Sequence, residues 1–176
     1  MRIKVKTIIV FFLCIALTFS AVFAQASRSV YFRGIRAAKS GKNDFAFMYF
    51  RDFLQSEPNS PLTENALFAL GEYCFLAGNS SQAAQFFNRF ITRYPKSKAK
   101  IFACSYLLDI ARKSNKEQLA KRIEREIITF YQLSLVFSKY KRLTYNSAFD
   151  KKYKALYYMN KVEIYIDDEL FTEIVY

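Results

Sequence analysis

The chain has 176 residues, a net charge of +12, three cysteines, and no histidine or tryptophan. Without histidine there is no imidazole base for a serine or cysteine nucleophile, and no CxxC, HExxH or glycine-rich phosphate loop occurs, so the common hydrolase, zinc-peptidase and nucleotide-binding chemistries lack their residues. The length suits one domain with a sizeable core, and the positive charge favours acidic or anionic partners.

The first residues read MRIKVKTIIVFFLCIALTFSAVFAQA. Arg2, Lys4 and Lys6 form a basic start, Thr7 to Phe19 an uncharged apolar core, and Val22 and Ala24 a small-residue cleavage site. These are the three parts of a secretory signal peptide over residues 1–24, with cleavage before Gln25 and a periplasmic destination. The rival is an uncleaved inner-membrane anchor, because the apolar run is nearly long enough to span a bilayer. A lipoprotein signal fits poorly, since Cys14 comes early and follows the bulky Phe12 and Leu13. Loss of the leader leaves 152 residues and takes the charge from +12 to +9. The abundance of Lys, Asn, Ile, Phe and Tyr fits an AT-rich bacterial genome.

Residues 25–132 carry an internal repeat with a period of 37. Gly34, Gly41, Ala46, Phe50, Phe53, Pro58 and Ser60 recur as Gly71, Gly78, Ala83, Phe87, Phe90, Pro95 and Ser97. A third, degenerate copy keeps Leu107, Ala120, Ile127 and Tyr131 but has Leu108 for Gly71, Asn115 for Gly78 and Gln132 for Pro95. A fixed period of this length marks an array whose units bury their apolar faces on one another.

Each copy reads as two helices. In the second, Leu67, Leu70 and Cys74 follow helical spacing, Gly78 breaks the helix, and a serine of Ser80-Ser81 is the expected N-cap of the next. Ala83, Phe86, Phe87, Phe90 and Ile91 line one side of the second helix, which Pro95 ends. Gly71 and Ala83 are expected to face each other at the helix crossing, where only small side chains allow close approach. Asn115 can take the left-handed conformation assigned to Gly78.

These residues resemble the tetratricopeptide repeat family: Leu70, Gly71, Gly78, Ala83, Phe87 and Pro95 fall on its pattern, with Cys74 where a tyrosine is usual. The longer period and the tyrosine-proline-x-serine link at Tyr94–Ser97 are similar to a bacterial envelope subgroup, which includes the outer-membrane β-barrel assembly lipoprotein and the periplasmic coordinator of the Tol–Pal system. The resemblance covers roughly residues 28–131. It implies an all-α fold, a solenoid of antiparallel helix pairs, and a non-enzymatic scaffold that binds other envelope proteins. Residues 133–176 are then expected to supply C-terminal capping helices and a tail.

The register sets Cys104 seven positions from Cys74 on parallel helices, about 10 Å along the axis, too far for a disulfide. Both are expected as small core hydrophobes.

In this family the first helices line a concave groove. Beside the core stripe lie Asn65, Phe68, Glu72 and Phe75 in the second copy, Arg28, Tyr31, Ile35 and Ala38 in the first, and Phe102, Ser105, Asp109 and Arg112 in the third. Tyr31, Phe68, Phe75 and Phe102 would anchor a partner segment and Arg112 would orient it. The other reading is that the C-terminal tail folds back over these aromatics, since monomers seldom expose such patches. Glu72 and Asp109 share one repeat position, which reads as a repeated surface face rather than an acid–base pair.

Past Glu117-Gln118 a helical pattern runs through Leu119, Ile123, Ile127 and Tyr131 toward Tyr140. A basic segment follows: Lys139, Lys141, Arg142, Lys151, Lys152 and Lys154, interleaved with Tyr140, Tyr145 and Tyr153. Such interleaving can bind nucleic acid, but export makes anionic lipid or an acidic protein the better match; a solvated basic face is the plainest reading. Another helix is expected over 147–161. Asp167-Asp168-Glu169 reads as a solvated turn or helix start rather than a metal site, and no cofactor is expected. The tail VEIYIDDELFTEIVY alternates like a strand at its start, while Leu170, Phe171, Ile174 and Val175 pair like a helix, the conformation expected of its end.

Three functional readings follow: a structural subunit of a large envelope machine, such as the collar around a periplasmic flagellar motor; an outer-membrane assembly or Tol–Pal-like coordinator; and a membrane-surface or cell-wall module using residues 139–154. The second usually carries a lipid anchor or a trimerising coiled coil, and neither is evident in the sequence.

Overall fold

The computed structural model describes residues 29–130 and 141–176. The expected leader, Arg28, the stretch from Tyr131 to Tyr140, and with it Lys139, lie outside the described residues. The first described element, α1, is helical over residues 29–39. It is followed by α2 (Asn43–Ser56), α3 (Thr63–Leu76), α4 (Ser80–Arg93), α5 (Lys100–Lys113) and α6 (Glu117–Thr129). The bounds of α4 are those of α2 moved by 37, and those of α5 are those of α3 moved by the same step. The period in the sequence is therefore a period in the fold.

The turns show why. Gly41 and Gly78 sit at φ +70° and +77°, and Asn115 takes their place at φ 54°, as its tolerance of the left-handed region predicts. The N-cap of α4 is Asn79 rather than a serine: its side chain accepts the backbone N–H of Gln82 at 3.1 Å. Ala83 is fully buried, but the atom group pressed against Gly71 is the ring of Phe87, not Ala83. A β-carbon on Gly71 would lie 2.8 Å from that ring, and one on Gly34 would lie 2.7 Å from the ring of Phe50.

The all-α expectation is overturned by the C-terminal third. Four strands, β1 (Lys141–Asn146), β2 (Lys152–Tyr157), β3 (Lys161–Ile166) and β4 (Glu169–Val175), form one antiparallel sheet in the order β1-β2-β3-β4. The helix expected over 147–161 is instead β2 and its flanking loops, and the tail expected to end as a helix is β4. Each strand alternates: Leu143, Tyr153, Ala155, Tyr157, Val162, Ile164 and Ile174 are buried, while Arg142, Thr144 and Lys152 are exposed. Period-two alternation places every second side chain of a strand on one face, which a helix of the same sequence would scatter; in β4 Leu170 and Val175 stay exposed. Asp167 and Asp168, at φ 52° and 66°, make the two-residue turn between β3 and β4, the backbone that matches sheet twist. The expectation of a solvated acidic turn thus holds. An irregularity in the β3–β4 register leaves Phe171 as the extra residue of a bulge, between Leu170 opposite Tyr165 and Thr172 opposite Ile164.

The inner face of the sheet lies on α3 and α5. These two helices are buried on nearly every side, nine residues each, whereas α4 and α6 each bury one stripe of three. The first helices form the middle layer between the second helices and the sheet. Cys74 and Cys104 are free and buried, as the register predicted. Among the described residues no helix is long and apolar enough to cross a membrane.

Candidate interaction site

At the seam between helices and sheet is Glu72, with none of its surface exposed. Its Oε1 accepts Tyr153 Oη–H at 2.7 Å and Ser147 Oγ–H at 3.1 Å. The hydroxyls of Tyr106 and Tyr153 are 2.7 Å apart. Since Tyr153 donates to Glu72, Tyr106 donates to Tyr153, and a chain of hydrogen bonds runs from α5 through β2 to α3. Burial pushes the Glu72 carboxyl up to about 7, against the lowering effect of Tyr153, Ser147 and the Lys151 charge. Burial likewise raises the phenols of Tyr106, Tyr145 and Tyr153. Glu72 therefore cannot reach a substrate. It ties the sheet to the array, and the expectation of a shared surface face with Asp109 is corrected. Asp109 is in partial contact with solvent and pairs with Lys113 at 2.8 Å.

The other residues expected in the groove are distributed as follows. Phe68 is fully buried, edge-on to Tyr145 at 5.0 Å and Tyr153 at 5.5 Å between ring centres. Phe102 lies 5.1 Å from Tyr153. Tyr31 packs on Phe50 and Phe53. Asn65 accepts Tyr145 Oη–H at 3.2 Å, and Ile35 is half-buried. Arg112 binds Glu124 at 2.8 Å and donates to Thr172 Oγ1 of β4 at 3.0 Å. The C-terminal segment thus covers Phe68 and Phe102, and among the described residues no open groove runs past them.

Phe75 alone of the four aromatics stands at an opening. Between the end of α3 and the β3–β4 turn is a cleft of about 360 Å³ lined by Phe75, Leu76, Tyr106, Lys151, Asp167 and Leu170, among others. Leu76 and Leu170 at its rim are 55% and 56% exposed. Phe171, turned inward by the bulge, stands 6.2 Å from Phe75 and 5.2 Å from Tyr106. This mixture of apolar walls and a few charges can receive an apolar side chain of a partner and orient it by charge.

The basic segment does not form a single free patch. Arg142, Lys152 and Lys154 belong to the outer rows of the sheet, but Lys154 pairs with Asp168 at 3.0 Å and lies over the Tyr165 ring at 4.5 Å. Lys151 is 3.7 Å from Asp167. Lys141, Arg142 and Lys152 are exposed.

The helix pair with a glycine under a phenylalanine ring and a left-handed turn between the helices occurs twice in the fold. Residues 65–97 match the tetratricopeptide repeat family. The match takes in most of α3, all of α4 and the link to Ser97, whose Oγ accepts the N–H of Ala99 at 3.0 Å at the head of α5. No curated protein matches the chain. Tetratricopeptide repeats typically act as non-enzymatic modules of protein–protein interaction, and protein partners are what this repeat supports.

Proposed function

We propose that the protein is an exported, non-enzymatic scaffold of a bacterial cell envelope, held in the periplasm as a structural subunit of a large machine such as a periplasmic flagellar motor collar. The observation that carries this reading is the array of helix pairs, with its tetratricopeptide match and its own sheet packed across it. A structural subunit needs fixed outer surfaces more than an adaptable groove. The three-part leader in residues 1–24 supports export, with cleavage before Gln25. Crosslinking in the native cell followed by mass spectrometry tests the reading. Recovery of motor or other envelope-machine subunits is expected; isolation only with outer-membrane assembly proteins overturns the motor assignment.

The Tyr94-Pro95-Lys96-Ser97 link favours a second reading, an outer-membrane assembly or Tol–Pal-like coordinator. A membrane-surface role for residues 139–154 has less support, because Lys151 and Lys154 already face Asp167 and Asp168.

A further inference from the structure

The repeat places one structural feature three times, and the three copies differ in what fills it. In the second copy, Tyr73 of α3 and Phe86 of α4 form a seat that receives Phe47 from the preceding second helix, α2. The ring centres are 4.7 Å and 6.5 Å apart. One turn earlier on α2, Asp44 accepts Tyr73 Oη–H at 2.5 Å. An acidic residue and an aromatic three positions apart, on one helix face, thus dock the preceding pair onto Tyr73.

In the third copy the seat is Ile110 and Ile123, and the residue equivalent to Phe47 is Ala84. The small side chain leaves a cleft of about 220 Å³ bounded by Ala84, Ile110, Leu119 and Ile123, among others. In the first copy the equivalent positions are Arg36 and Tyr49. They border an open cleft of about 340 Å³ together with Ala37, Ser40, Lys42 and Phe45. Phe32, one turn before Arg36 on α1, is 52% exposed, although its equivalents Ala69 and Tyr106 are buried, and Phe45 is 56% exposed. Arg33, Arg36, Lys39 and Lys42 form no ion pair among the described residues, while Asp44 faces Tyr73 and Asp52 pairs with Arg51.

We infer that this first seat is a docking site for a helix of a protein partner that presents an acidic residue and an aromatic three positions later. The aromatic takes the place Phe47 has in the second seat, against Tyr49 and Phe45. The carboxylate takes the place of Asp44, and meets Arg36 where Asp44 meets Tyr73. A guanidinium at this position turns a neutral hydroxyl contact into a charge-assisted pair. Arg36 and Lys42, which line the seat and form no ion pair among the described residues, oppose its pairing with the same end of a second copy and favour an acidic helix. The shape also favours a helix over a membrane surface, since the seat corresponds in position to one that holds a helix in the next repeat. The inference rests on the reading of the chain as an interaction scaffold.

The test is a fluorescence-polarisation titration of the purified protein with a labelled helical peptide bearing Glu-x-x-Phe on one face, beside a Lys-x-x-Phe version and a scrambled control. Saturable binding of the first is expected, at least tenfold weaker in Arg36→Glu and in Phe45→Ser, with Arg36→Glu regaining affinity for the Lys-x-x-Phe peptide. Both side chains are exposed, and unchanged melting would confirm that the variants fold. Equal binding of all three peptides, or no effect of either substitution, overturns the site. Co-sedimentation with phosphatidylglycerol vesicles that Arg36→Glu abolishes, without peptide binding, would assign the patch to lipid instead. Dimerisation abolished by Phe45→Ser would assign it to a second copy. If peptide binding fails while crosslinking in the cell still captures envelope subunits, the seat is refuted and the scaffold reading stands; if no protein is captured, the scaffold reading itself falls.

Discussion

The ring of Phe87 occupies the space that a β-carbon on Gly71 would need, with three ring atoms 2.8 to 2.9 Å from that point. The third repeat confirms the trade from the other direction: the position of Gly71 holds Leu108, fully buried, and the position of Phe87 holds Glu124. Gly71→Leu should therefore overpack the second helix pair and cost about 1–3 kcal/mol. Thermal melting checks this. Adding Phe87→Ala should make the Gly71→Leu change less costly than it is alone, a coupling expected only of residues in direct contact.

Phe68→Ala should behave as a core truncation and cost about 3–5 kcal/mol. Its ring meets Phe87 and Phe90 on one side and Tyr145 and Tyr153 on the other. Phe75→Ala, at the partly open cleft, should cost less. Equal urea midpoints for the two variants would contradict the sheet's position over α3.

Stability should depend on pH through Glu72. Its carboxyl stands near 4.5 when unfolded and about 7 in the fold, chiefly because burial penalises the charged form. The fold therefore favours the protonated acid. That stabilisation is complete below about 4.5 and is lost as pH rises through about 7, by at most about 3 kcal/mol. Tyr153, Ser147 and Lys151 face the group, with Asp167 beyond. Urea midpoints from pH 4.5 to 8 should fall for the parent, and Glu72→Gln should flatten that dependence.

Ala84→Phe should fill the cleft between Ile110 and Ile123 as Phe47 fills the seat before it. Cavity filling of this kind commonly gains about 0.5–2 kcal/mol. A higher melting temperature is the expected result.

Both core cysteines should resist alkylation in the native protein. Burial pushes the Cys74 thiol up to about 11 and the Cys104 thiol up to about 12, so little thiolate forms near neutral pH. Denatured without reductant, both should label with iodoacetamide within minutes.

The helical array was legible because its code is local. A glycine beneath a phenylalanine, a left-handed turn residue and a proline after the second helix each act within one repeat, and a fixed offset makes them visible. The sheet was legible only in VEIYI, whose alternation reads as a strand and is one, β3. In KYKALY, basic and aromatic residues at near-helical spacing mask the period of two, and the family resemblance supplies an expectation of capping helices. One further signal points to the sheet. TENALFALGEYCFL in α3 is apolar around most of its circumference, and a helix of that kind needs cover on more than one side. Whether the groove residues lie open or beneath the C-terminal tail, the two readings the sequence allows, is not legible locally, because the cover lies far off in sequence: Tyr145 binds Asn65 and Tyr153 binds Glu72. The first seat, between Arg36 and Tyr49, appears only when the copies are superposed on their neighbours.

A stack of helix pairs joined only neighbour to neighbour behaves as a spring, since each interface can give a little and the bends add. Here the C-terminal region touches every copy at once: Phe149 meets Phe50, Tyr153 meets both Phe68 and Phe102, and Tyr157 Oη–H reaches the carbonyl of Ile127. A change of curvature would shear all of these contacts together. The sheet works as a gusset: no helix pair can turn against the next without also displacing its own contact with the C-terminal region.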